Sequence, residues 1–177
     1  AIAQAFAALD THADRGRVHT ALTSAVEQLF DREHNVVRLF DPPITRRTPE
    51  TGYVRSYGAG LRENGGQYTH GALWLAMALL RTGRTAEGAE ILHAVLPTAH
   101  DPARYEGEPY VLAADIAGGD NAGVAGWTWY TGAAGWYLRI AAEDLLGLHL
   151  RGGVLYPEPH LPAGWPECTV RWRDGAG

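Results

Sequence analysis

The sequence predicts a mainly helical protein, in which helix pairs are joined by long glycine-rich loops and followed by a small β appendage. Apolar residues recur at helical spacing in several segments, which indicates amphipathic helices. The segment 69–81 is apolar nearly all round, which indicates a helix buried on both sides. Such helices, alternating with long loops, suit a barrel of helical hairpins whose loops gather at one end.

Five helices are predicted, and they cover residues 2–9, 17–30, 69–81, 85–97 and 130–146. Gly83 ends the third helix, and Thr85 is expected to cap the fourth. Gly147 ends the fifth helix. The two segments 31–66 and 98–127 contain many glycines and prolines, so we expect them to be loops.

Two short strands are expected after the last helix, at residues 154–156 and 168–172, with prolines between them. The chain begins at Ala1 without a methionine or a charged leader, and it ends soon after the second strand-like stretch. We therefore expect a segment cut from the interior of a longer protein.

Composition excludes several classes of function. The net charge of -5 argues against a nucleic-acid partner, since such proteins usually carry a basic face. The single Cys168 excludes an internal disulfide and fits a reducing compartment. No apolar run approaches the roughly 20 residues of a membrane span, so we expect no membrane contact by this segment. The histidines show no metal-ligand spacing, and no metal site is expected.

The first candidate site is the segment 62–71, which precedes the apolar helix. Gly65 and Gly66 allow the backbone to approach a ligand closely, and most of the residues around them are polar. Each polar group at the mouth of a buried helix needs a partner, because leaving it unpaired costs about 1–3 kcal/mol. A polyhydroxyl or anionic ligand would supply these partners. The alternative is a self-satisfied capping network in which Thr69 caps the helix.

The second candidate site is the segment 126–136, in which an aromatic run precedes Thr131 and Gly132 at a predicted helix start. Unpaired N–H groups and the helix dipole favour an anion there, and glycine lets the anion reach the backbone. Aromatic rings in the same segment can stack on the apolar faces of sugars. The alternative is a glycine and alanine face for tight helix packing.

A third candidate element is the segment 108–115, in which Glu108 and Asp115 flank an aromatic and apolar run. Both carboxylates can accept hydrogen bonds from sugar hydroxyls. They can equally be structural, with Glu108 paired to an arginine and Asp115 capping a turn. The sequence alone leaves these alternatives open.

These segments occur in the same order in a known family. They read Arg-Glu-Asn-Gly-Gly-Gln-Tyr-Thr-His at 62–70, Glu-Pro-Tyr-Val at 108–111 with Ala114-Asp115, and Trp-Thr-Trp-Tyr-Thr-Gly at 127–132. The chain resembles the glycoside phosphorylase family of cellobiose and chitobiose phosphorylases over nearly its whole length. The similarity is greatest to the C-terminal phosphorylase-like domain of cyclic β-1,2-glucan synthases and to β-1,2-oligoglucan phosphorylases. It departs from them at residues 123–126, where relatives of the synthase type usually have Gly-Arg-Gly-Gly.

The resemblance implies that residues 1–150 are the C-terminal portion of an (α/α)6 catalytic barrel and that residues 151–177 begin a C-terminal β-domain. It also implies that His70, Thr131 and Gly132 bind phosphate. The remaining expected contacts are made to sugar, by Arg62, Glu63, Asn64, Gln67, Tyr110, Asp115 and Trp129. Among these, Arg62 and Glu63 would lie near the acceptor sugar, and Asp115 near the donor sugar.

The reaction implied by the resemblance is inverting phosphorolysis of β-linked glucosides, or the reverse transfer. Phosphate attacks the anomeric carbon while an aspartic acid protonates the leaving oxygen. That acid belongs to an upstream Asp-Trp-Asn motif, which this sequence lacks. We therefore expect no catalytic residue in this chain and no activity of the isolated fragment. Phosphate is expected as co-substrate, without any other cofactor.

The implied partners are phosphate and a β-glucan or β-linked gluco-oligosaccharide, in a cytoplasmic parent protein. A cyclic glucan synthase as parent would allow attachment to the inner membrane, and a homodimer of the parent is compatible with this interpretation. Two alternatives remain. One is a glycoside hydrolase on the same barrel, with water in place of phosphate, and the other is a non-catalytic carbohydrate-binding module.

Overall fold

The computed structural model describes residues 1–45 and 50–173, and these residues form a mainly helical fold. Its α-helices are α1 (Ile2–Leu9), α2 (Arg15–Leu29), α3 (Thr69–Arg81), α4 (Thr85–Ala94), α5 (Pro102–Tyr105) and α6 (Thr131–Arg139). A π-helical segment, Ile140–Leu145, continues α6. Short 3-10 turns lie at Gly52–Ser56, Pro97–Ala99 and Gly119–Asn121.

The strands are short and form antiparallel pairs. They are β1 (Phe30–Asp31) with β2 (Val36–Val37), β3 (Gln67–Tyr68) with β4 (Asp115–Ile116), and β5 (Leu148–Arg151) with β6 (Val154–Pro157). The β3–β4 pair joins two loops that are far apart in the sequence. It therefore fixes the position of one loop against the other at the start of α3.

Helix α3 is the centre of the hydrophobic core. It packs against α1, α4 and α6, and most of its side chains are fully buried. A helix that is surrounded in this way has no need of a polar face, which explains its nearly uniform apolar sequence. The prediction of a buried helix at residues 69–81 is confirmed with the same boundaries.

The other helices follow the prediction with shifted ends. Helix α1 has the predicted boundaries, while α2 begins at Arg15 because the Asp14 carboxylate caps it by accepting from the Arg17 amide at 2.9 Å. Helix α4 ends at Ala94, because Pro97 opens a separate 3-10 turn. The predicted fifth helix is divided into α6 and the π-helical segment.

The predicted cap Thr85 is wrong, and Thr69, the cap of the alternative interpretation, does not cap its helix either. Thr85 is the first residue inside α4, whose capping position is Arg84, and no side-chain hydrogen bond caps that helix. Thr69 is likewise the first residue inside α3, and the capping position Tyr68 makes no capping side-chain bond. The structure therefore lacks the Thr69 cap that the capping-network alternative included.

The C-terminal part differs most from the prediction. Residues 168–172 are exposed and do not form a strand, because no neighbouring segment supplies backbone partners for them within the described residues. The predicted strand at 154–156 is present as β6, but its partner β5 was not predicted. The expected boundary between residues 150 and 151 falls within β5, and residues 174–177 lie outside the described part. No helix in that part is both long and apolar enough to span a membrane.

Candidate functional site

The three segments that the sequence singles out meet in one backbone framework. Strand β3 pairs with β4 so that Tyr68 lies opposite Asp115. The Thr69 amide donates to the Ala114 carbonyl at 2.9 Å, and the Ala114 amide donates to the Trp127 carbonyl at 2.6 Å. The loop before α3, the segment 108–115 and the aromatic run before α6 are therefore held side by side.

His70 and Gly132 lie against each other at the starts of two helices. His70 is in the first turn of α3, and Gly132 is in the first turn of α6. A Cβ placed on Gly132 would be 2.9 Å from His70 Nε2 and 3.2 Å from its Cε1. Only glycine fits at position 132 without displacing the imidazole.

The start of α6 presents backbone donors beside this imidazole. Thr131 is the first helical residue, and the capping position Tyr130 makes no capping side-chain bond. The Tyr130 carbonyl accepts from the Ala133 and Ala134 amides at 3.1 and 3.3 Å. The amides of Thr131 and Gly132 have no acceptor within the described residues. Free N–H groups at a helix start attract anions, so this corner can hold an oxyanion.

Three aromatic rings, here called the aromatic cage, enclose the imidazole of His70. Tyr68 stacks on it at a centroid distance of 5.2 Å and an interplanar angle of 19°. Trp74 and Tyr130 meet it edge to face, at 5.7 and 5.5 Å. Burial lowers the pKa of His70 below its usual 6.5, so the ring is neutral at pH 7. Its Nδ1 is buried and has no hydrogen-bond partner within the described residues.

Asp115 is almost fully buried against the loop that leads to α6. Its Oδ1 accepts from the Trp127 amide at 3.3 Å. A Cβ on Gly126 would overlap Oδ2, so glycine is required there for the carboxylate to fit. Burial raises the pKa of Asp115, while the Trp127 hydrogen bond and the Arg62 charge oppose that rise. The carboxylate of Asp115 thus lies near Arg62, at the edge of the site.

Arg62 and Glu63 lie beside Asp115 in the loop before α3. The Arg62 guanidinium lies over the Trp127 ring at 4.1 Å and over the Tyr57 ring at 5.2 Å, which holds the cation in place. The backbone of Arg62 has φ 49°, a left-handed conformation that turns the chain sharply. Glu63 Oε2 is buried without a hydrogen-bond partner in the described part of the chain. Such an atom is available to a hydroxyl donor.

Tyr110 and Trp129 form an exposed aromatic pair. Their rings meet edge to face at 5.9 Å, and they are 73% and 61% exposed. Trp129 Nε1 donates to Glu108 Oε1 at 3.0 Å, so Glu108 is paired with a tryptophan rather than with the arginine that the sequence allowed. Hydrogen bonds from Thr128 first, and also from Trp129, lower the pKa of Glu108. Tyr110 and Trp129 line a largely apolar cavity of about 400 Å³, together with Tyr130 and Thr131.

Two of the expected sugar contacts are placed differently. Asn64 has no exposed surface; it accepts from the Ile44 amide at 2.7 Å and donates to the Ile44 and Tyr57 carbonyls at 3.0 and 2.9 Å. Gln67 is also fully buried, and its Oε1 accepts from the Val37 amide at 2.8 Å. Both amides fold the loop against its neighbours. They are not in a position to contact a sugar directly.

Some residues of the site were not among the individually expected phosphate and sugar contacts. Tyr57 and Trp127 hold Arg62, while Tyr68 and Trp74 enclose His70. Trp74 lies four residues after His70 on α3, a spacing that places two side chains on the same face of a helix. That spacing was the available signal for Trp74. The contact of Arg62 with Trp127 depends on pairing between distant loops and had no signal of this kind.

Comparison with known proteins gives one family match and several similar relatives. The profile of the glycosyl hydrolase 94 superfamily, catalytic domain, matches residues 2–147. Over 97% of its length the chain is 42% identical to the cyclic beta-(1,2)-glucan synthase NdvB of Rhizobium meliloti (strain 1021), of which it covers 6%. Over 83% it is 30% identical to the solabiose phosphorylase of Paenibacillus borealis, covering 20% of that protein. It is also 27% identical over 94% to an N,N'-diacetylchitobiose phosphorylase of Vibrio proteolyticus, covering 21%. The chain thus spans about a fifth or less of these relatives.

Proposed function

The chain belongs to the glycosyl hydrolase 94 superfamily, and on this basis we propose that it is the C-terminal part of a phosphorolytic catalytic domain. The complete domain would be an (α/α)6 barrel to which the helices described above contribute. The proposed reaction is inverting phosphorolysis of β-linked glucosides, or the reverse transfer. The relatives support this proposal, since two of those named above are phosphorylases and one is a glucan synthase.

His70, Thr131 and Gly132 are the proposed phosphate-binding residues. The observation that carries this proposal is the packing of the His70 imidazole on Gly132, beside the two free amides at the start of α6. A neutral imidazole can donate one N–H to a phosphate oxygen, and the helix amides can donate two more. Donors that are fixed in advance need no reorganisation when the anion arrives.

The proposed chemistry requires little else from this chain. Phosphate is itself an anion and attacks the anomeric carbon directly, so no general base is needed. An aspartic acid must protonate the departing oxygen, and the sequence contains no Asp-Trp-Asn motif that would supply it. In our proposal the acid belongs to another part of the parent protein. The 177 residues alone are then inactive.

Sugar is proposed to lie on the other side of the framework, next to Arg62, Glu63 and Asp115. The unpartnered Glu63 Oε2 and the Asp115 carboxylate supply acceptors for sugar hydroxyls. The exposed rings of Tyr110 and Trp129 offer stacking surfaces to further glucose units. The proposed substrate is a β-glucan or β-linked gluco-oligosaccharide, and the proposed location of the parent is the cytoplasm.

The experiment that tests this function uses the intact parent protein with β-1,2-gluco-oligosaccharide and inorganic phosphate. We expect release of glucose 1-phosphate, and a much lower yield from the His70→Ala variant. Free glucose without a sugar phosphate would instead indicate a hydrolase. Binding of the oligosaccharide without any product would indicate a carbohydrate-binding module. The isolated chain serves as the control and should release no glucose 1-phosphate.

A further inference from the structure

We propose that Tyr130 is a positioning residue that holds the imidazole of His70 against the start of α6. The ring of Tyr130 meets the His70 ring edge to face, at 5.5 Å and 85°. Its backbone carbonyl accepts from the Ala133 and Ala134 amides in the first turn of α6. Tyr130 therefore contacts both the His70 imidazole and the first turn of α6.

The remaining rings of the aromatic cage restrict the imidazole from other directions. Tyr68 covers one face of the His70 ring in a nearly parallel stack. Trp74 contacts another side and is itself packed edge to face on Trp136 at 5.9 Å. Tilting of the imidazole would require one of these rings to move. Gly132 lies on the side where Nε2 is found.

Tyr130 also contacts both the half-buried His70 ring and a cavity. Its ring lines the cavity of about 400 Å³ that Tyr110 and Trp129 share, and His70 is not part of the cavity wall. Truncation of Tyr130 would therefore expose more of the imidazole, on the side of that cavity. The other two rings of the cage do not line the cavity.

The phenol of Tyr68 supports the same arrangement. Burial raises the pKa of Tyr68 first, and the neighbouring Tyr130 hydroxyl raises it further. The two tyrosines of the cage thus lie close to each other at their hydroxyl ends as well as around the imidazole. Phenylalanine at position 130 would keep the ring contact with His70 and lose only the hydroxyl. The ring contact is the part on which this inference depends.

The consequence for phosphate use rests on the function proposed above. If His70 donates to phosphate, a loosened imidazole weakens phosphate binding and leaves sugar binding nearly unchanged. Misplacement of a catalytic group by about 1 Å can reduce a rate about a hundredfold. We expect a smaller effect from truncation of Tyr130, an increase of about tenfold in the KM for phosphate.

The test compares Tyr130→Ala, Tyr130→Phe and, as a control, Tyr156→Ala, which truncates an exposed tyrosine on β6. The first readout is the pKa of His70, measured by NMR in the 177-residue chain without phosphate. We expect Tyr130→Ala to raise that pKa towards its usual value, because the half-buried ring becomes more exposed to water. The phenylalanine and control variants should leave it close to that of the parent chain. An unchanged pKa in Tyr130→Ala would overturn the inference.

The second readout is the pair of KM values in the intact parent protein. Tyr130→Ala should raise the KM for phosphate about tenfold and change the KM for sugar less than about twofold, with rescue by phenylalanine. Equal changes in both values would indicate a merely structural role and overturn the inference. If Tyr130→Ala does not fold, Tyr130→Leu is judged by the same two readouts. The NMR readout needs no phosphate, so failure of the phosphate proposal alone would leave the altered His70 pKa intact.

Discussion

The Nε2 atom of His70 lies 2.9 Å from the point where a Cβ of residue 132 would stand. A carbon at that distance is closer than Cβ atoms normally approach a neighbouring heavy atom, so a side chain at position 132 must displace the imidazole. The residue at the start of α6 and the residue at the start of α3 therefore form a single site. The absence of a side chain from Gly132 is part of that site.

The first prediction concerns Gly132→Ala. Alanine favours a helix over glycine by about 1 kcal/mol, and this gain offsets the cost of moving the His70 ring. The variant should therefore fold with nearly unchanged stability. The added methyl group should nevertheless displace His70 and raise the KM for phosphate about tenfold or more in the intact protein. Steady-state kinetics with varied phosphate measures this effect.

Gly135→Ala is the matched control, because it lies on the same helix and an added Cβ would meet nothing within 4 Å. It should gain about 0.5–1 kcal/mol of stability and keep its KM for phosphate. Similar losses of phosphate use in both variants would mean that the packing of α6 matters, rather than the contact with His70.

The second prediction is the pH dependence of oxyanion binding. Sulfate is a suitable probe, because it does not titrate near neutrality. The pKa of His70 is lowered by burial, so the free site is uncharged at about pH 7.5. A bound anion favours the protonated ring, so affinity for sulfate should increase as the pH falls and level off below the pKa of the free site.

Calorimetry on the chain between about pH 7.5 and pH 5.5 tests this, since histidine titrates in this range. The His70→Gln variant keeps a hydrogen-bond donor but does not titrate there, so its affinity should be independent of pH. Burial raises the pKa of Tyr68, which stacks on the ring, so Tyr68 does not ionise in this range. The same pH dependence in His70→Gln would exclude the imidazole as its source.

The third prediction concerns Asp115→Asn. Burial raises the pKa of this carboxyl above 3.8, so its ionised form is disfavoured in the folded protein. Between 3.8 and the raised value the folded state binds more protons, and stability falls as the pH rises through that window. The asparagine variant should thus be at least as stable as the parent at pH 7. Below pH 3.8, where Asp115 is protonated in both the folded and the unfolded state, the variant should have no advantage in stability.

Thermal unfolding of the parent and of Asp115→Asn, at pH 7 and at a pH below 3.8, measures this difference in stability. The same substitution should raise the KM for sugar about tenfold, because a hydrogen bond to a charged group contributes about 1.5–3 kcal/mol. A KM for sugar that does not change would separate Asp115 from the substrate. A clear loss of stability at pH 7 would show instead that the charge of Asp115 supports the fold.

Local sequence signals predicted most of the helical part of this fold. Helix α3 could be predicted with its boundaries because a run that is apolar on all sides indicates a buried helix without knowledge of its neighbours. Gly83, which has a positive φ, then ends the helix. Local sequence could not show whether residues 168–172 form a strand, since a strand depends on a partner elsewhere in the chain. The polarity of the two site segments was also visible in the sequence.

The roles of individual polar residues were harder to predict than the site. Asn64 and Gln67 stand in a polar loop like the other candidates, but their partners are backbone groups at Ile44 and Val37. Those partners are remote in sequence, so nothing in the loop itself reveals them. The contact between His70 and Gly132 is equally remote, and the resemblance to known phosphorylases, rather than the spacing, associated the two residues in advance.

The last prediction concerns the C-terminal end of α3, away from the site. Arg81 Nε donates to Asp144 Oδ1 at 2.5 Å, and its Nη2 donates to Oδ2 at 3.4 Å, where Asp144 is only 3% exposed. This pair joins α3 to the π-helical segment that continues α6. Removing one partner of a buried ion pair leaves an uncompensated charge and costs about 3–5 kcal/mol. Since the Arg81 side chain is 43% exposed, we expect Arg81→Ala to lose about 3 kcal/mol, near the lower limit.

The neighbouring pair of Arg139 and Glu143 provides the control for this measurement. Its side chains are 56% and 37% exposed, and its i,i+4 geometry on the helix surface is worth about 0.3–0.5 kcal/mol. Arg139→Ala should therefore lower the free energy of unfolding by less than about 0.5 kcal/mol, measured by denaturant titration. Equal losses in the two arginine variants would show that water compensates Asp144 when Arg81 is absent. A large difference would instead identify the Arg81–Asp144 pair as the link that keeps the π-helical segment, and with it the end of α6, against α3.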